Sequence, residues 1–204
     1  MEKQVDRSHY SFQSYMTKER WNSVWHQVDE IVKMQPEKVL EIGPGSGVFK
    51  GICMLFGLNI ETFDIDSELH PDYIGSATAL PFADGTYDVI CAFQMLEHLP
   101  YEESLKVFSE MVRCKNRFVV ISLPDCEPMW RYKIHVPKFG SYDFNFSRRR
   151  SSPPVHEFDG QHYWEVNVAG HSLENIIADL SKMAKLIKTY RVVENPYHRF
   201  FIFS

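Results

Sequence analysis

Residues 39–49, VLEIGPGSGVF, decide the fold. A short apolar run carries one carboxylate, Glu41, and leads into three glycines, Gly43, Gly45 and Gly47. A strand that ends in a glycine turn and continues into a helix opens a nucleotide-type α/β fold, because the turn and the helix N-terminus let a ligand approach closely. An acid two residues before the first glycine repels a phosphate and attracts a cation, and it does so more strongly in a partly dry cleft than in water.

Two classes of ligand compete for such a turn. The dinucleotide fingerprint is GxGxxG, and its third glycine falls here at Val48, so the pattern present is GxGxG. Val48 and Glu41 together disfavour a dinucleotide or nucleotide-sugar oxidoreductase, which stays as an alternative. S-adenosylmethionine carries a sulfonium and an α-ammonium and has no phosphate, and it therefore suits Glu41 better.

Strands and helices alternate outward from this stretch, which predicts a mostly parallel sheet with helices on both faces. We expect a Rossmann-like three-layer α/β sandwich whose seven-stranded sheet has one antiparallel strand at the edge. The strands are predicted in KVLEI, NIETFDID, DYIGSA, YDVICAF, RFVVISLP, LIKTYRVV and RFFIFS. The helices are predicted at residues 17–34, 47–56, 101–115 and 172–184.

The first of these helices has apolar residues at three- and four-residue spacing, with Thr17 as its N-cap. The spacing predicts that its two tryptophans, Trp21 and Trp25, anchor the core, with stacking on a substrate as the alternative. The predicted apolar face consists of Trp21, Val24, Trp25, Val28, Ile31 and Val32. Before this helix, Tyr10, Phe12 and Tyr15 are expected to close over a ligand.

Four segments in order resemble the class I S-adenosylmethionine-dependent methyltransferases, in particular the group with a type 11 methyltransferase domain. They are VLEIGPGSG, ETFDIDSEL, GSATALPFADGTYDVI and CAFQMLEHLP, and the resemblance covers residues 37–123. It implies S-adenosylmethionine as cofactor, S-adenosylhomocysteine as product, and transfer of a methyl group to an O or N atom of a small-molecule acceptor. The alternative is a methyltransferase-like domain that binds cofactor or a partner without catalysis.

The resemblance also implies which residues contact the cofactor. Glu41 would recognise the ammonium, directly or through water, above the turn of Gly43 and Gly45. Asp64 would hold the ribose hydroxyls, with Asp66 as the rival. The implied contacts further along the chain are Ser76 and Ala77 at the adenine and Phe93 and Gln94 along the methionine part. Ser76 stands where the family often has an acid, and a hydroxyl accepts the adenine hydrogen bond more weakly.

Candidate catalytic groups lie in two places. His98 follows Glu97 after the fourth strand, where ligands bind in open α/β sheets. The second place is VHEFDGQHYWEVN, in which His162 is the best candidate for acid–base chemistry or hydrogen bonding to substrate. This segment is dense in titratable and aromatic groups, namely His156, Glu157, Asp159, His162, Tyr163, Trp164 and Glu165. Their spacing matches no zinc motif, so we predict no metal site.

The chain is expected to form one domain of 204 residues. Residues 1–36 would be a helical cover, 37–123 the cofactor-binding core, 124–170 an insertion or substrate lid, and 171–204 a final helix and strand pair. The insertion is basic, which favours an anionic acceptor or a solvated loop. Its basic residues are Arg131, Lys133, His135, Lys138 and Arg148, Arg149 and Arg150.

Composition limits the possible partners. The net charge of −5 gives no reason to bind nucleic acid or an anionic membrane. No signal peptide or apolar run long enough to span a bilayer is visible, and the four cysteines have no CxxC spacing. These features predict a cytoplasmic protein with free thiols, and they do not define its oligomeric state.

Overall fold

A computed structural model describes residues 7–148 and 152–204. The strands found there are β1 Val39–Ile42, β2 Ile60–Asp64, β3 Tyr73–Ile74, β4 Tyr87–Phe93, β5 Lys115–Pro124, β6 Met129–Val136, β7 Gly140–Ser147, β8 Leu186–Arg191 and β9 His198–Phe203. The α-helices are α1 Phe12–Tyr15, α2 Lys18–Met34, α3 Val48–Leu55, α4 Tyr101–Cys114 and α5 Leu173–Leu180.

Seven strands form one sheet in the order β3-β2-β1-β4-β5-β9-β8. β9 runs antiparallel to both of its neighbours, and the other pairs are parallel. The antiparallel strand thus belongs to the edge pair, with β8 outermost. The predicted mostly parallel, seven-stranded sheet with one antiparallel strand is confirmed, and that strand lies next to the outermost strand, β8.

Helices cover both faces of this sheet. Apart from Asp88, β4 is apolar, as is typical of a strand buried on both faces. On one face, Leu40 and Ile90 belong to a core cluster that includes residues of α4 and α5. On the other face, Val39 and Val89 pack with residues of α2 and α3. The structure therefore has the predicted three layers.

The helix α2 begins as predicted, because the Thr17 side chain accepts a hydrogen bond from the Arg20 backbone N–H. The prediction that the tryptophans are core anchors is wrong, since Trp21 is 49% and Trp25 61% exposed. Val32, predicted on the same face, is exposed too. The helix instead buries a mixed face that includes Val24, Ile31 and three polar residues, Ser23, Gln27 and Glu30. Ion pairing and hydrogen bonding set this rotation, because Glu30 pairs with Lys188 and Ser23 accepts from Asn195.

The insertion contains a regular element that the sequence did not predict. β6 and β7 form a two-stranded hairpin outside the main sheet. Its cross-strand partners include Trp130 with Phe146 and Tyr132 with Phe144, and all four side chains are exposed. The alternating pattern puts these apolar side chains on one face of the hairpin. The ends of the hairpin are adjacent, because the Arg148 N–H donates to the Pro128 carbonyl at 3.1 Å. Arg149 and Arg150, predicted as part of the basic insertion, lie outside the described residues.

The described residues contain free cysteines at four positions, of which Cys53, Cys91 and Cys114 are buried. The prediction of free thiols is confirmed. Among these residues, none of the helices combines the length and apolar character needed to cross a bilayer.

Candidate functional site

A cleft opens at the carboxyl ends of β1, β2 and β4, with a volume of about 1190 Å³ that includes space open to solvent. The chain leaves β1 toward β2 on one side and returns to β4 on the other, so this is the switch point where open α/β sheets bind ligands. Most of the described residues that line it come from the N-terminal segment, the ends of these three strands and the segment around His162. Gly75, Ala77 and Tyr197 line it as well.

The glycine turn forms one wall of the cleft through Gly43 and Gly45. Both residues have positive φ, at 71° and 51°, where side chains are disfavoured. Space is also lacking: a Cβ on Gly43 would lie 2.5 Å from Met95 Cγ, and one on Gly45 would lie 2.9 Å from Tyr10 Cε1. Both positions therefore require glycine for backbone geometry and for the close approach of neighbouring groups.

Glu41 lies buried at the third position of β1, two residues before the turn. Within the described residues its Oε2 has no hydrogen-bond partner. Burial raises the pKa of Glu41 to about 8, against the attraction of Lys50. The residue is absent from the wall of the cleft as the described residues form it. A buried acceptor without a partner is costly, and a ligand that donates to it would remove that cost.

Asp64 ends β2 and lines the cleft together with Asp66. The Asp64 Oδ1 accepts from the Asp66 backbone N–H at 2.8 Å, and burial raises the pKa of Asp64. The Asp66 carboxylate caps the following short 3₁₀ helix by accepting from the Glu68 N–H at 2.9 Å. This local capping role of Asp66 favours Asp64 as the carboxylate for a ribose.

The two positions predicted at the adenine differ in the structure. Ala77 is buried and lines the cleft next to Gly75. Ser76 is absent from the described wall, and its Oγ lies 2.8 Å from Thr78 Oγ1. The structure therefore places Ala77, and not the Ser76 hydroxyl, against the cleft.

Phe93 and Gln94 both line the cleft at the end of β4. Gln94 has φ of 54°, a conformation that non-glycine residues seldom adopt and that occurs preferentially at functional sites. Two hydrogen bonds to Ser122 hold it there, one from its backbone N–H to the carbonyl and one from Nε2 to Oγ.

The N-terminal segment covers the cleft through Tyr10 and Tyr15, as expected. Their rings pack edge to face at 5.0 Å, and the Arg20 guanidinium lies 4.0 Å from the Tyr15 ring centre. Phe12 was expected to join them but is 70% exposed and absent from the described wall of the cleft. Arg20 lines the cleft as well and was not predicted, since nothing in an amphipathic helix pattern marks a functional arginine.

His98 and His162, the two catalytic candidates, meet in the wall of the cleft with ring centres 5.0 Å apart. Backbone contacts hold their segments together, because the Tyr163 N–H donates to the Glu97 carbonyl at 2.8 Å. Trp164, which is buried, donates from Nε1 to the Leu99 carbonyl at 3.0 Å. The structure thus brings together two predicted groups that are distant in the chain.

The surroundings shift the titration of this group. Burial lowers the pKa of His98 to about 4 and raises the pKa of Glu97 to about 8. Burial lowers the pKa of His162, but the hydrogen bond to Glu165 and the charge of Glu97 raise it further, so that this pKa lies above its usual value. Glu165 is held in turn by the Tyr197 hydroxyl at 2.5 Å, and Tyr197 also lines the cleft.

The remaining candidates of the insertion lie elsewhere. Among the described residues of 124–170, Gln161 and His162 are the ones that line the cleft. Asp159 shapes their turn by accepting from both of their backbone N–H groups at 2.8 Å. Arg131, Lys133, His135 and Lys138 belong to the hairpin or its turn, outside the described wall of the cleft. They therefore give no support to an anionic acceptor.

Comparison with solved structures shows the same fold in several proteins. The PH0226 protein of Pyrococcus horikoshii is 14% identical, with 98% of this chain and 99% of that chain covered and a TM-score of 0.63. The 1,6-didemethyltoxoflavin-N1-methyltransferase of Burkholderia thailandensis, solved with 1,6-didemethyltoxoflavin and S-adenosylhomocysteine, is 11% identical over 97% and 85%, with a TM-score of 0.61. The magnesium protoporphyrin IX methyltransferase of Synechocystis, solved with S-adenosylmethionine, is 15% identical over 91% and 79%, with a TM-score of 0.59.

A search of curated protein sequences finds no significant match. A family model described as a methyltransferase domain matches residues 16–150, which is well over half of the chain. This match confirms the resemblance given by the four motifs and goes against the oxidoreductase alternative. The chain belongs to the methyltransferase domain family.

Proposed function

We propose that the protein transfers a methyl group from S-adenosylmethionine to an O or N atom of a small-molecule acceptor. The observation that carries the proposal is the cleft, because the glycine turn, Asp64, His98 and His162 all line it. The family match supports the reaction class.

The residues present fit the cofactor. Glu41 is absent from the described wall, but its Oε2 is a buried acceptor without a partner among the described residues, and an ammonium can supply the missing donor directly or through water. Gly43 and Gly45 line the cleft with backbone atoms alone, as a glycine turn beside a ligand does. Asp64 presents a carboxylate at the end of β2, about 20 residues beyond the glycines. A carboxylate at this distance along the chain is where α/β folds of this kind bind the ribose hydroxyls.

When bound, S-adenosylmethionine supplies an activated methyl carbon, to which the acceptor forms its new bond while the carbon–sulfur bond breaks and sulfur keeps the electron pair. The chain contributes orientation, which can account for roughly 7–11 kcal/mol of barrier reduction at best. Tyr10 and Tyr15 cover the site and exclude water. Phe93 and Gln94 line the part of the cleft that is expected to hold the methionine portion of the cofactor.

His98 and His162 are the polar groups proposed to face the acceptor. An imidazole that removes a proton from the methyl acceptor, as a general base, typically increases the rate by about 10²- to 10⁴-fold. Arg20 supplies a cation for a carboxylate of either the cofactor or the acceptor. The two methyltransferases of similar fold named above act, by their names, on small molecules, which supports an acceptor of that size.

The test is a panel assay that measures S-adenosylhomocysteine released from S-adenosylmethionine in the presence of hydroxyl- and amine-bearing compounds. The proposal predicts release that depends on one class of acceptor. Cofactor binding without release for any class would support the alternative of a non-catalytic domain. A nicotinamide cofactor bound to the purified protein would support the oxidoreductase alternative.

A further inference from the structure

Two histidines in the wall of the cleft, His98 and His162, converge with the buried Glu97 in a way that acid–base chemistry alone does not explain. Glu97, His98 and His162 each offer a ligand atom, and these atoms all lie within 4.8 Å of one another. Ligands of zinc and related ions lie about 2.0–2.2 Å from the metal, so modest side-chain rotations would bring the three atoms around one ion. Two imidazoles and one carboxylate form a donor set typical of catalytic transition-metal sites with an open position.

The hydrogen bonds of both histidines select the tautomer that a metal ligand needs. His98 Nδ1 lies 3.0 Å from the Gln161 carbonyl oxygen, which can only accept. His162 Nδ1 lies 2.7 Å from Glu165 Oε1, a carboxylate. In both rings the proton therefore belongs on Nδ1, and Nε2 carries the lone pair. Metal-binding histidines almost always donate their other N–H to a carbonyl or carboxylate in this way.

Glu97 gives the second, independent observation. Its side chain is fully buried, and within the described part of the chain neither carboxylate oxygen has a hydrogen-bond partner. A buried polar group without a partner costs about 1–3 kcal/mol, and more for a charged one. A cation bound between Glu97 and the two imidazoles would satisfy both oxygens.

We propose that Glu97, His98 and His162 bind a divalent transition-metal ion, with Glu165 positioning the His162 ring. Spacing along the sequence did not reveal this site, because Glu97 and His98 follow β4 whereas His162 belongs to the distant insertion. Since His98 and His162 line the cleft, the open coordination position faces it. This role rests on the proposed methyl transfer: an oxygen of the acceptor would bind at that position, where the ion would lower the pKa of a hydroxyl group.

The test uses the full chain without an affinity tag, freed of metal by chelation, and Zn²⁺ as the probe in titration calorimetry. We expect one ion per chain. Glu97→Gln and His162→Ala should each weaken binding at least tenfold, and Glu165→Gln by about 10- to 100-fold, as is usual for partners of ligating histidines. Circular dichroism and thermal unfolding establish that each variant is folded.

Two matched variants serve as controls. Glu157→Gln removes a carboxylate from the same insertion, and His135→Ala removes a histidine of the exposed hairpin. Both should leave Zn²⁺ affinity unchanged. Absence of binding at millimolar Zn²⁺, or equal affinity in folded Glu97→Gln and the wild type, overturns the proposal and leaves Glu97 and His162 as a buried acid–imidazole pair.

Titration with S-adenosylhomocysteine separates this proposal from the proposed function. Metal binding without S-adenosylhomocysteine binding would retain the metal site and contradict the methyl transfer. The panel assay repeated with a chelator tests the role toward the acceptor. Loss of product release supports that role, whereas release that is unchanged by chelation overturns it.

Discussion

Asp64 and Asp66 lie side by side in the cleft, but their local hydrogen bonds differ. Asp66 caps the short helix that follows β2, whereas Asp64 ends the strand. We therefore expect Asp64→Ala to weaken S-adenosylhomocysteine binding at least tenfold, or about 1.4 kcal/mol, and Asp66→Ala to weaken it less. Calorimetry on the pair measures this, and an unchanged affinity in Asp64→Ala would transfer the ribose role to Asp66.

Glu41 provides a pH-dependent signature of ligand binding. Because burial raises its pKa to about 8, most of the free protein holds Glu41 protonated at neutral pH. An ammonium ligand favours the charged form, so binding should release a proton, and affinity should rise with pH up to about 8. Calorimetry in buffers of different ionisation enthalpy counts the protons released.

Glu41→Gln is the control for that experiment, since it keeps the shape and cannot titrate. It should bind more weakly and with a smaller proton release and pH slope. If the wild type and Glu41→Gln release the same number of protons, the ammonium contact assigned to Glu41 is incorrect.

Single residues were predictable where a motif defined their place in the turn or at a strand end. Gly43, Gly45, Asp64, Ala77, Phe93 and Gln94 all line the cleft. Arg20 and Tyr197 also line it but were not predicted, because tertiary packing alone brings their segments to the site. Met95 and Gln161 line it as neighbours of the predicted Gln94 and His162. Ser76 shows the converse, since its hydroxyl lies against Thr78.

Among the secondary-structure elements, the seven strands of the main sheet could be predicted, because buried parallel strands have continuous apolar sequences. The hairpin β6–β7 was not predicted, although its aromatic residues alternate with polar ones as in a strand. The aromatic residues, prolines and histidines of the whole insertion were interpreted as an irregular lid. The rotation of α2 was also unpredictable, since the ion pair of Glu30 with Lys188 competes with the apolar spacing of Trp21 and Trp25.

The position of the hairpin outside the cleft can be tested by removing it. Replacing residues 129–147 with a short Gly-Ser linker is feasible, because Pro128 and Arg148 are already joined by a hydrogen bond. We expect S-adenosylhomocysteine affinity to change by less than about threefold, or under 1 kcal/mol. A folded deletion variant that loses binding tenfold or more would show that the hairpin contributes to the cofactor site.

For the molecule as a whole, a buried charge network connects the insertion to the edge of the sheet. Asp125 is 1% exposed and pairs with Arg199 at 2.7 Å, while Arg191 donates to its carbonyl at 3.1 Å. Asn167 of the insertion donates to the same carboxylate at 2.9 Å. The network fixes the chain entering the insertion, and the segment returning from it, against β8 and β9.

Asp125→Ala should therefore lower the free energy of unfolding by about 3–5 kcal/mol, because it leaves two largely buried arginines without their carboxylate. Urea denaturation measures the change. Asp29→Ala is the control, since it removes the partner of the exposed Lys33 and should cost no more than about 0.5 kcal/mol. Similar losses in the two variants would mean that the buried network contributes little.

Binding of S-adenosylmethionine in the cleft at the ends of β1, β2 and β4 underlies the whole proposal. It can be measured by titration calorimetry of the purified chain with S-adenosylhomocysteine. We expect one molecule bound per chain, with binding weakened at least tenfold, or about 1.4 kcal/mol, by Asp64→Ala. Absence of binding at millimolar S-adenosylhomocysteine, by a folded protein, would contradict it.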